Sequence, residues 1–87
     1  MELRLRRDVS TTDTEYGAVL LDERNGHYWQ LNPTGALAVR LLLAGHDLAH
    51  TAGVLAAEFD VPETEAAEDV TALITELRSA ELVEPAP

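Results

Sequence analysis

The sequence predicts a single α+β domain in which a three-stranded antiparallel sheet is followed by three helices. At positions 3–6, apolar residues alternate with polar ones, as they do in a half-buried strand. Beyond Pro33 they recur every three or four residues, as on the face of a helix. The period changes at Asn32-Pro33, where the Asn side chain can cap a helix and Pro can occupy its first position. The 87 residues are enough for one modest core.

Three strands are predicted ahead of the helices. Alternating Leu and Arg at positions 3–6 indicate a first strand with one buried face, and residues 10–14 are expected to form a polar connector. Residues 16–24 are predicted to form the second strand. Asn25-Gly26 favours a type I′ turn that folds residues 27–31 back as the third strand.

A two-residue turn would also fix the register of this hairpin. The expected pairs are Arg24 with His27, Asp22 with Trp29, and Leu20 with Leu31. The face that packs on the helices would then carry Ala18, Leu20, Trp29 and Leu31. The opposite face would carry Val19, Leu21, Tyr28 and Gln30. Neither face is wholly polar, which indicates that part of the second face is also covered.

The first two helices are predicted from the residues at their ends. Residues 33–44 form the first helix, which the Asn32 side chain caps and Gly45 ends, because glycine tolerates a left-handed backbone. Residues 48–59 form the second helix, with Asp47 as its cap. The first helix is apolar almost all round, so it is either central to the fold or has a second face for a partner.

The third helix, residues 62–80, is the most clearly amphipathic element. Its apolar residues follow the i, i+4, i+7, i+8, i+11 spacing of a single stripe, and Pro62 is well placed to open it. The stripe consists of Ala66, Val70, Leu73, Ile74 and Leu77. Leu82 and Val83 are expected to fix the end of this helix to the core, and residues 84–87 to form a frayed tail.

The charge balance excludes several classes of partner. Sixteen acidic residues against six bases, all of them Arg, give a formal net charge of −10. Phosphate backbones repel such a surface, so we expect no nucleic-acid partner. The chain has no Cys and therefore no disulfide or thiolate metal site. Residues 36–44 are too short an apolar run to span a bilayer and contain Arg40, so we expect a cytoplasmic protein without a membrane partner.

No catalytic constellation is predicted, and we expect neither enzymatic activity nor a cofactor or metal. His46 and His50 have the four-residue spacing of a zinc-binding pair. If Asp47 caps the second helix, however, His46 lies outside it and the two imidazoles need not share a face. The serines, Ser10 and Ser79, have no His nearby in sequence to activate them.

The chain contains, in this order, the stretches GAVLLDERNGHYWQLN, ALAVRLLLAG and AAEDVTALITELRSAELV. This ordered series resembles the PqqD-like family, whose members recognise the leader peptides of ribosomally made, post-translationally modified peptides (RiPPs). The resemblance extends from about Leu5 to Val83. It implies that residues 1–87 form one recognition domain with the winged helix-turn-helix fold.

The resemblance also implies a mode of binding, in which a leader peptide pairs with the third strand and places side chains in a groove between that strand and the third helix. On this sequence the backbone contacts fall on residues 28–31. The groove would be lined by Trp29 and Leu31 from the strand and by some of Val70, Leu73, Ile74 and Leu77 from the helix. The candidate peptide-binding residues are Tyr28, Trp29, Gln30, Leu31, Asp69, Val70, Leu73, Ile74 and Leu77.

The implied partners are the leader segment of a precursor peptide and a leader peptidase, with a cyclase as a further candidate. A short, acidic and freestanding member suggests a lasso-peptide pathway, although a quinone-cofactor precursor or another modified peptide also fits. Two other functions stay open. The fold often reads DNA, but residues 58–69 contain six acids and no base, which opposes docking in the major groove. A small dimeric scaffold would use the excess apolar surface of the first helix.

Overall fold

The computed structural model describes residues 3–85, which form two antiparallel sheets and three helices. In chain order the elements are β1 (Leu3–Leu5), β2 (Val9–Thr14), β3 (Gly17–Asp22), β4 (His27–Leu31), α1 (Pro33–Leu43), α2 (Leu48–Phe59), α3 (Glu63–Ser79) and β5 (Val83–Pro85). One sheet has the order β2-β3-β4, and β1 pairs with β5 in the other. The predicted α+β fold, a three-stranded antiparallel sheet followed by three helices, is confirmed, and it suits a winged helix-turn-helix.

The three-stranded sheet has a different first strand from the one predicted. Residues 10–14, expected to be a connector, belong to β2, and all of them are exposed. An exposed strand of Ser, Thr and Asp shows no alternation of apolar and polar residues, so the period-two signal fails there. Its β-branched Thr residues nonetheless favour an extended backbone.

The predicted first strand, β1, pairs instead with β5, so that Leu3 lies opposite Pro85. Glu84 and Pro85 are therefore not part of a frayed tail, and residues 86–87 of that predicted tail lie outside the described residues. Arg4 Nε donates to Glu84 Oε1 at 2.8 Å across 80 residues of sequence. No local pattern can signal a pairing between such distant segments.

The β3–β4 hairpin is shifted by two residues from the predicted register. The observed pairs are Asp22 with His27, Leu20 with Trp29, and Ala18 with Leu31. The loop is thus residues 23–26 rather than a two-residue turn. Asp22 causes the difference: Gly26 N donates to the Asp22 carbonyl at 2.7 Å, and Asn25 Nδ2 donates to the Asp22 carboxylate at 2.8 Å. Because the shift is even, every side chain keeps its predicted face.

The helices begin and end close to where their capping residues predict. Asn32 Oδ1 accepts from Gly35 N at 2.7 Å at the start of α1. Asp47 Oδ1 accepts from His50 N at 2.8 Å at the start of α2. Gly45 follows α1 with a φ of 97°, in the left-handed region. The bounds of α2 are those predicted, and α1 and α3 differ from theirs by no more than one residue at either end.

The core lies between the inner face of the three-stranded sheet and the helices. Its largest fully buried apolar side chains are Leu20, Leu42, Leu55, Val70, Leu77 and Leu82. Four members of the predicted stripe of α3 are buried, and the fifth, Leu73, is half-buried. Most of this stripe therefore packs inside the protein, and Leu73 lies where the core meets solvent.

Within residues 3–85, no helix is long and apolar enough to cross a membrane. No three side chains of the metal-binding types lie close enough together in that range to hold an ion. The His46 and His50 rings stack with their centroids 4.3 Å apart, although His46 precedes α2. The two imidazoles therefore do share a surface, as a pair rather than as part of a larger group.

An ionic network ties the N-terminal segment to the β3–β4 hairpin and to the end of α3. The Arg6 guanidinium donates to Asp8 Oδ1, to Asp22 Oδ1 and to the Glu81 carbonyl, each at 2.6 Å. Arg24 Nε donates to Asp8 Oδ2 at 2.9 Å. Because Asp22 is only 3% exposed, this network holds a buried carboxylate by several donors.

The network makes the fold sensitive to acid. Donation from the Asn25 side chain, with help from nearby backbone N–H groups and the Arg6 charge, lowers the pKa of Asp22 against the opposing effect of burial. A carboxylate with a lowered pKa stabilises the folded state above its unfolded pKa of about 4, and this stabilisation is lost as the pH falls through the folded pKa. Asp22→Asn should therefore lower the Tm at pH 7, by an amount that shrinks below about pH 4.

Thermal unfolding followed by circular dichroism between pH 7 and pH 3 would check this prediction. Glu23→Gln, a change of the same charge at the exposed neighbouring residue, is the matched control and should follow the wild type. Parallel Tm profiles for the wild type and Asp22→Asn would contradict the role given to Asp22.

Candidate functional site

The β4 strand lies at an edge of the three-stranded sheet. It pairs with β3 on one side, and no strand within residues 3–85 pairs with its other side. An unpaired strand edge presents backbone N–H and C=O groups to any extended chain that can bond with them. The outer side of β4 is therefore a place where another strand can be added.

The hydrogen-bond pattern identifies which residues of β4 carry these unpaired groups. Glu23 N donates to the Asp8 carbonyl at 2.9 Å, so the backbone groups of Glu23 point towards β2. Successive residues of a strand direct these groups to alternate sides, so the even-numbered residues of β3 bond to β4. Their partners are the odd-numbered residues of β4. The backbone groups of Tyr28 and Gln30 are left at the free edge.

The other edge of the sheet, β2, is less receptive to an added strand. By the same alternation its outward backbone groups belong to Thr11 and Asp13. Both side chains are exposed, and Asp13 Oδ1 lies 3.6 Å from Arg40 Nη2. Charged side chains on an edge strand oppose strand addition. The β4 strand, which carries Tyr28 and Trp29, has no Asp, Glu, Lys or Arg side chain.

A cleft of about 420 Å³ opens where β4 runs into α1. The start of α1 forms one wall and the middle of α3 the other. The lining residues are Asn32, Thr34, Gly35, Ala38, Leu55, Asp69, Val70, Ala72, Leu73 and Glu76. The free strand edge and the cleft are neighbours because Asn32 directly follows β4.

The cleft combines an apolar floor with an acidic rim. Ala38, Leu55 and Val70 are buried, and Leu73 is half-buried beside them. Asp69 and Glu76 are exposed on the α3 side. This arrangement can bury apolar side chains of a ligand and attract cationic ones, and it offers no base among the lining residues.

The structure brings together only part of the predicted peptide-binding set. From α3, Asp69, Val70 and Leu73 line the cleft, whereas Ile74 and Leu77 are buried in the core and do not line it. The same rotation of α3 that exposes one side of the stripe to the cleft turns the other side inwards.

The predicted strand residues divide between the two faces of the sheet. Tyr28, which is 73% exposed, and Gln30 project from the outer face. Trp29 is half-buried on the inner face and packs against the core. Leu31 is buried on that face and borders a second, smaller cleft of about 250 Å³ on the opposite side of α1.

Sequence reasoning missed seven of the ten residues that line the cleft. Thr34 and Gly35 belong to the first turn of α1, and their place follows from the cap at Asn32 that the sequence does predict. Glu76 lies on the same helix face as Asp69 and Leu73, so the helical period could have found it. Leu55 has no local signal, because its position depends on how α2 packs against α3.

Comparison with known proteins identifies a family that matches the chain and solved structures that are similar to it. Residues 17–83 match the family described as Coenzyme PQQ synthesis protein D (PqqD). None of the curated proteins matches the chain. Among solved structures the chain is similar to "Lasso peptide synthetase B1 complexed with the leader peptide", with 47% identity, a TM-score of 0.90, and coverage of 98% of this chain and 100% of that one.

A second solved structure has the same fold at lower sequence similarity. It is described as "TbiB1 in Complex with the TbiA(beta) Leader Peptide". Its identity to this chain is 23% and its TM-score 0.83, with 100% of this chain and 99% of that chain covered. At this level of identity the likeness shows the fold alone.

Proposed function

The chain belongs to the PqqD-like family of RiPP recognition elements, and from this premise we propose that it binds the leader segment of a precursor peptide at the β4 edge. The observation that carries the proposal is the free edge of β4 beside the cleft between α1 and α3. The similarity to a lasso peptide synthetase B1 in complex with a leader peptide supports it.

In this proposal the leader extends the sheet through the backbone of Tyr28 and Gln30. These two residues offer four hydrogen-bonding groups, worth about 1 kcal/mol each. Association alone costs about 4–15 kcal/mol, so backbone pairing cannot hold the peptide without further contacts. Backbone bonds also carry no sequence information, so specificity has to come from side chains.

The side-chain contacts are proposed to come from Trp29 and from the cleft. Side chains of an extended ligand alternate between the two faces of the sheet, so those facing the same way as Trp29 point towards the helices. Trp29 and Leu73 are both half-buried and have apolar surface left to cover. Burial of two or three apolar ligand side chains contributes about 1.5–3 kcal/mol each, so these contacts supply more of the binding free energy than the backbone bonds do.

The protein is proposed to act by binding rather than by catalysis, and to present the leader to separate enzymes. A leader peptidase and a cyclase of a lasso-peptide pathway are the proposed recipients, which the similarity to a lasso peptide synthetase B1 supports. An extended leader held on an edge strand leaves the rest of the precursor free for such enzymes.

Loss of either apolar contact should weaken binding. Leu73→Ala or Trp29→Ala is expected to raise the Kd for a candidate leader peptide about tenfold or more, since each removes apolar contact at the site. Trp29 fluorescence reports the titration for the wild type and Leu73→Ala, and calorimetry measures Trp29→Ala. The leader peptide of the lasso peptide synthetase B1 relative is the first probe.

Tyr16→Ala is the control for this experiment. Tyr16 is 76% exposed and lies in the turn before β3, outside the cleft, so its removal should change neither the affinity nor the fold. Circular dichroism should show that all three variants stay folded. Unchanged affinity in both Leu73→Ala and Trp29→Ala would show that the peptide binds elsewhere.

A further inference from the structure

We propose that Asp69 and Glu76 make the cleft selective for a ligand with a Lys or Arg two residues away from an apolar anchor. This inference rests on the proposed function, because it concerns the side chains of the peptide that the cleft receives. It adds a charge requirement that the fold and the strand edge do not impose.

The two carboxylates flank the apolar centre of the cleft. Asp69, Leu73 and Glu76 lie on one face of α3, and all three line the cleft. With a rise of about 1.5 Å per residue, Asp69 lies about 6 Å along the helix axis from Leu73, and Glu76 about 4.5 Å from it on the other side. An apolar side chain that packs on Leu73 is therefore bordered by a carboxylate in either direction.

Neither carboxylate is neutralised by the part of the chain that the structure describes. Asp69 and Glu76 form no ion pair or hydrogen bond through their side chains within residues 3–85. Between Arg40 and Arg78 the sequence has eight acidic residues and no Lys or Arg. The cleft therefore keeps a negative charge that a ligand can meet.

The opposite wall of the cleft carries no charged side chain. Two backbone donors at the start of α1 are already engaged, since Gly35 N donates to Asn32 Oδ1 at 2.7 Å and Ala36 N to the Asn32 carbonyl at 2.8 Å. The remaining polar groups of that wall are the neutral side chains of Asn32 and Thr34. A cationic ligand group thus meets attraction from α3 without a competing basic side chain among the lining residues.

In this proposal the bound segment runs along α3, so the spacing of Asp69, Leu73 and Glu76 sets the spacing in the ligand. An extended peptide advances about 3.3 Å per residue, and its side chains alternate between two faces. A residue two positions from the anchor lies on the anchor's face and about 6.6 Å further along, close to the offset of either carboxylate. An acidic residue at that position would be repelled. The expected ligand pattern is an apolar residue, any residue, then Lys or Arg, or the reverse order.

Both carboxylates are exposed, so each ion pair should change the affinity only about two- to fivefold. The effect should weaken in high salt, because solvent screens exposed charges. It should nonetheless suffice to bias a selection in which many peptides compete for the site.

Selection from a phage-displayed library of random dodecapeptides would test the inference. The immobilised proteins are the wild type, the double variant Asp69→Asn with Glu76→Gln, and the matched double variant Glu58→Gln with Glu65→Gln. The matched variant loses the same charge at exposed residues that do not line the cleft. Peptides enriched on the wild type are then synthesised with their Lys or Arg unchanged or replaced by Gln.

We expect the wild type and the matched variant to enrich peptides with Lys or Arg two positions from an apolar residue. The cleft variant, Asp69→Asn with Glu76→Gln, should lose this bias. Replacement by Gln should weaken binding to the wild type about two- to fivefold and leave binding to the cleft variant unchanged. Enrichment without a basic bias, or equal loss of the bias in both variants, would overturn this inference alone. If no peptide is enriched on any of the three proteins, the proposed function fails and this inference with it.

Discussion

Gln30→Pro is expected to weaken leader binding at least tenfold while leaving the fold in place. Proline removes the backbone N–H of residue 30 and puts a ring where an added strand would lie. The N–H of Gln30 points to the free edge of β4, so no hydrogen bond to β3 is lost. Proline is tolerated in edge strands at positions of this kind. The lost backbone hydrogen bond costs about 1 kcal/mol. Together with the steric clash, the total loss should exceed the roughly 1.4 kcal/mol that corresponds to a tenfold change in Kd.

Two matched proline variants separate strand addition from general damage to the sheet. Thr11→Pro makes the same change at the outward edge of β2 and should leave the affinity unchanged. Trp29→Pro removes an N–H that bonds to β3, so it should lower the Tm much more than Gln30→Pro does. Calorimetry with a candidate leader peptide gives the affinities, and circular dichroism the Tm values. Wild-type affinity in a folded Gln30→Pro protein would rule out pairing at this edge.

Gly17→Ala is expected to be the most destabilising single substitution considered for this protein. Gly17 has a φ of 144°, which residues with a Cβ rarely adopt. A Cβ at this position would clash with the Leu31 carbonyl oxygen and lie 2.8 Å from the Asn32 carbonyl carbon. Because these are backbone atoms at the corner between β4 and α1, they cannot move aside without disturbing the cap of α1. We expect a loss of about 3 kcal/mol or more in the free energy of unfolding.

Gly26→Ala is the control that isolates the close approach. Gly26 also has a positive φ, of 71°, but no atom lies within 4 Å of the position a Cβ would take. Its cost should therefore be the left-handed backbone alone, about 1–2 kcal/mol. Thermal unfolding of both variants measures the difference, which corresponds to a Tm gap of several degrees. Equal Tm losses would mean that the contact with residues 31 and 32 carries no cost.

The helices could be predicted from sequence because the residues that end them act locally. Asn32 and Asp47 each cap their helix through a backbone N–H three residues away. The hairpin register could not be predicted in this way. It depends on Asp22, whose carboxylate also accepts from Arg6, 16 residues earlier in the chain. Such a partner changes which turn is favoured without leaving any trace in the turn sequence itself.

The candidate site shows the same division between local and distant information. Helical periodicity places Asp69, Val70 and Leu73 on neighbouring positions of α3, where the structure has them lining the cleft. The same periodicity cannot separate Leu73 from Ile74 and Leu77, because all three belong to one apolar stripe. Which edge of that stripe meets the cleft depends on the rotation of α3 against the other helices.

Both ends of β4 are held firmly by the rest of the protein. At the His27 end, the buried Asp22 and its donors fix the hairpin loop; at the Leu31 end, the close approach of Gly17 and the cap of α1 fix the corner. A receptor strand that is already rigid loses little conformational entropy when a ligand docks. The entropic cost of complex formation then falls almost wholly on the incoming peptide, so a conformationally constrained leader analogue should gain affinity chiefly through preorganisation.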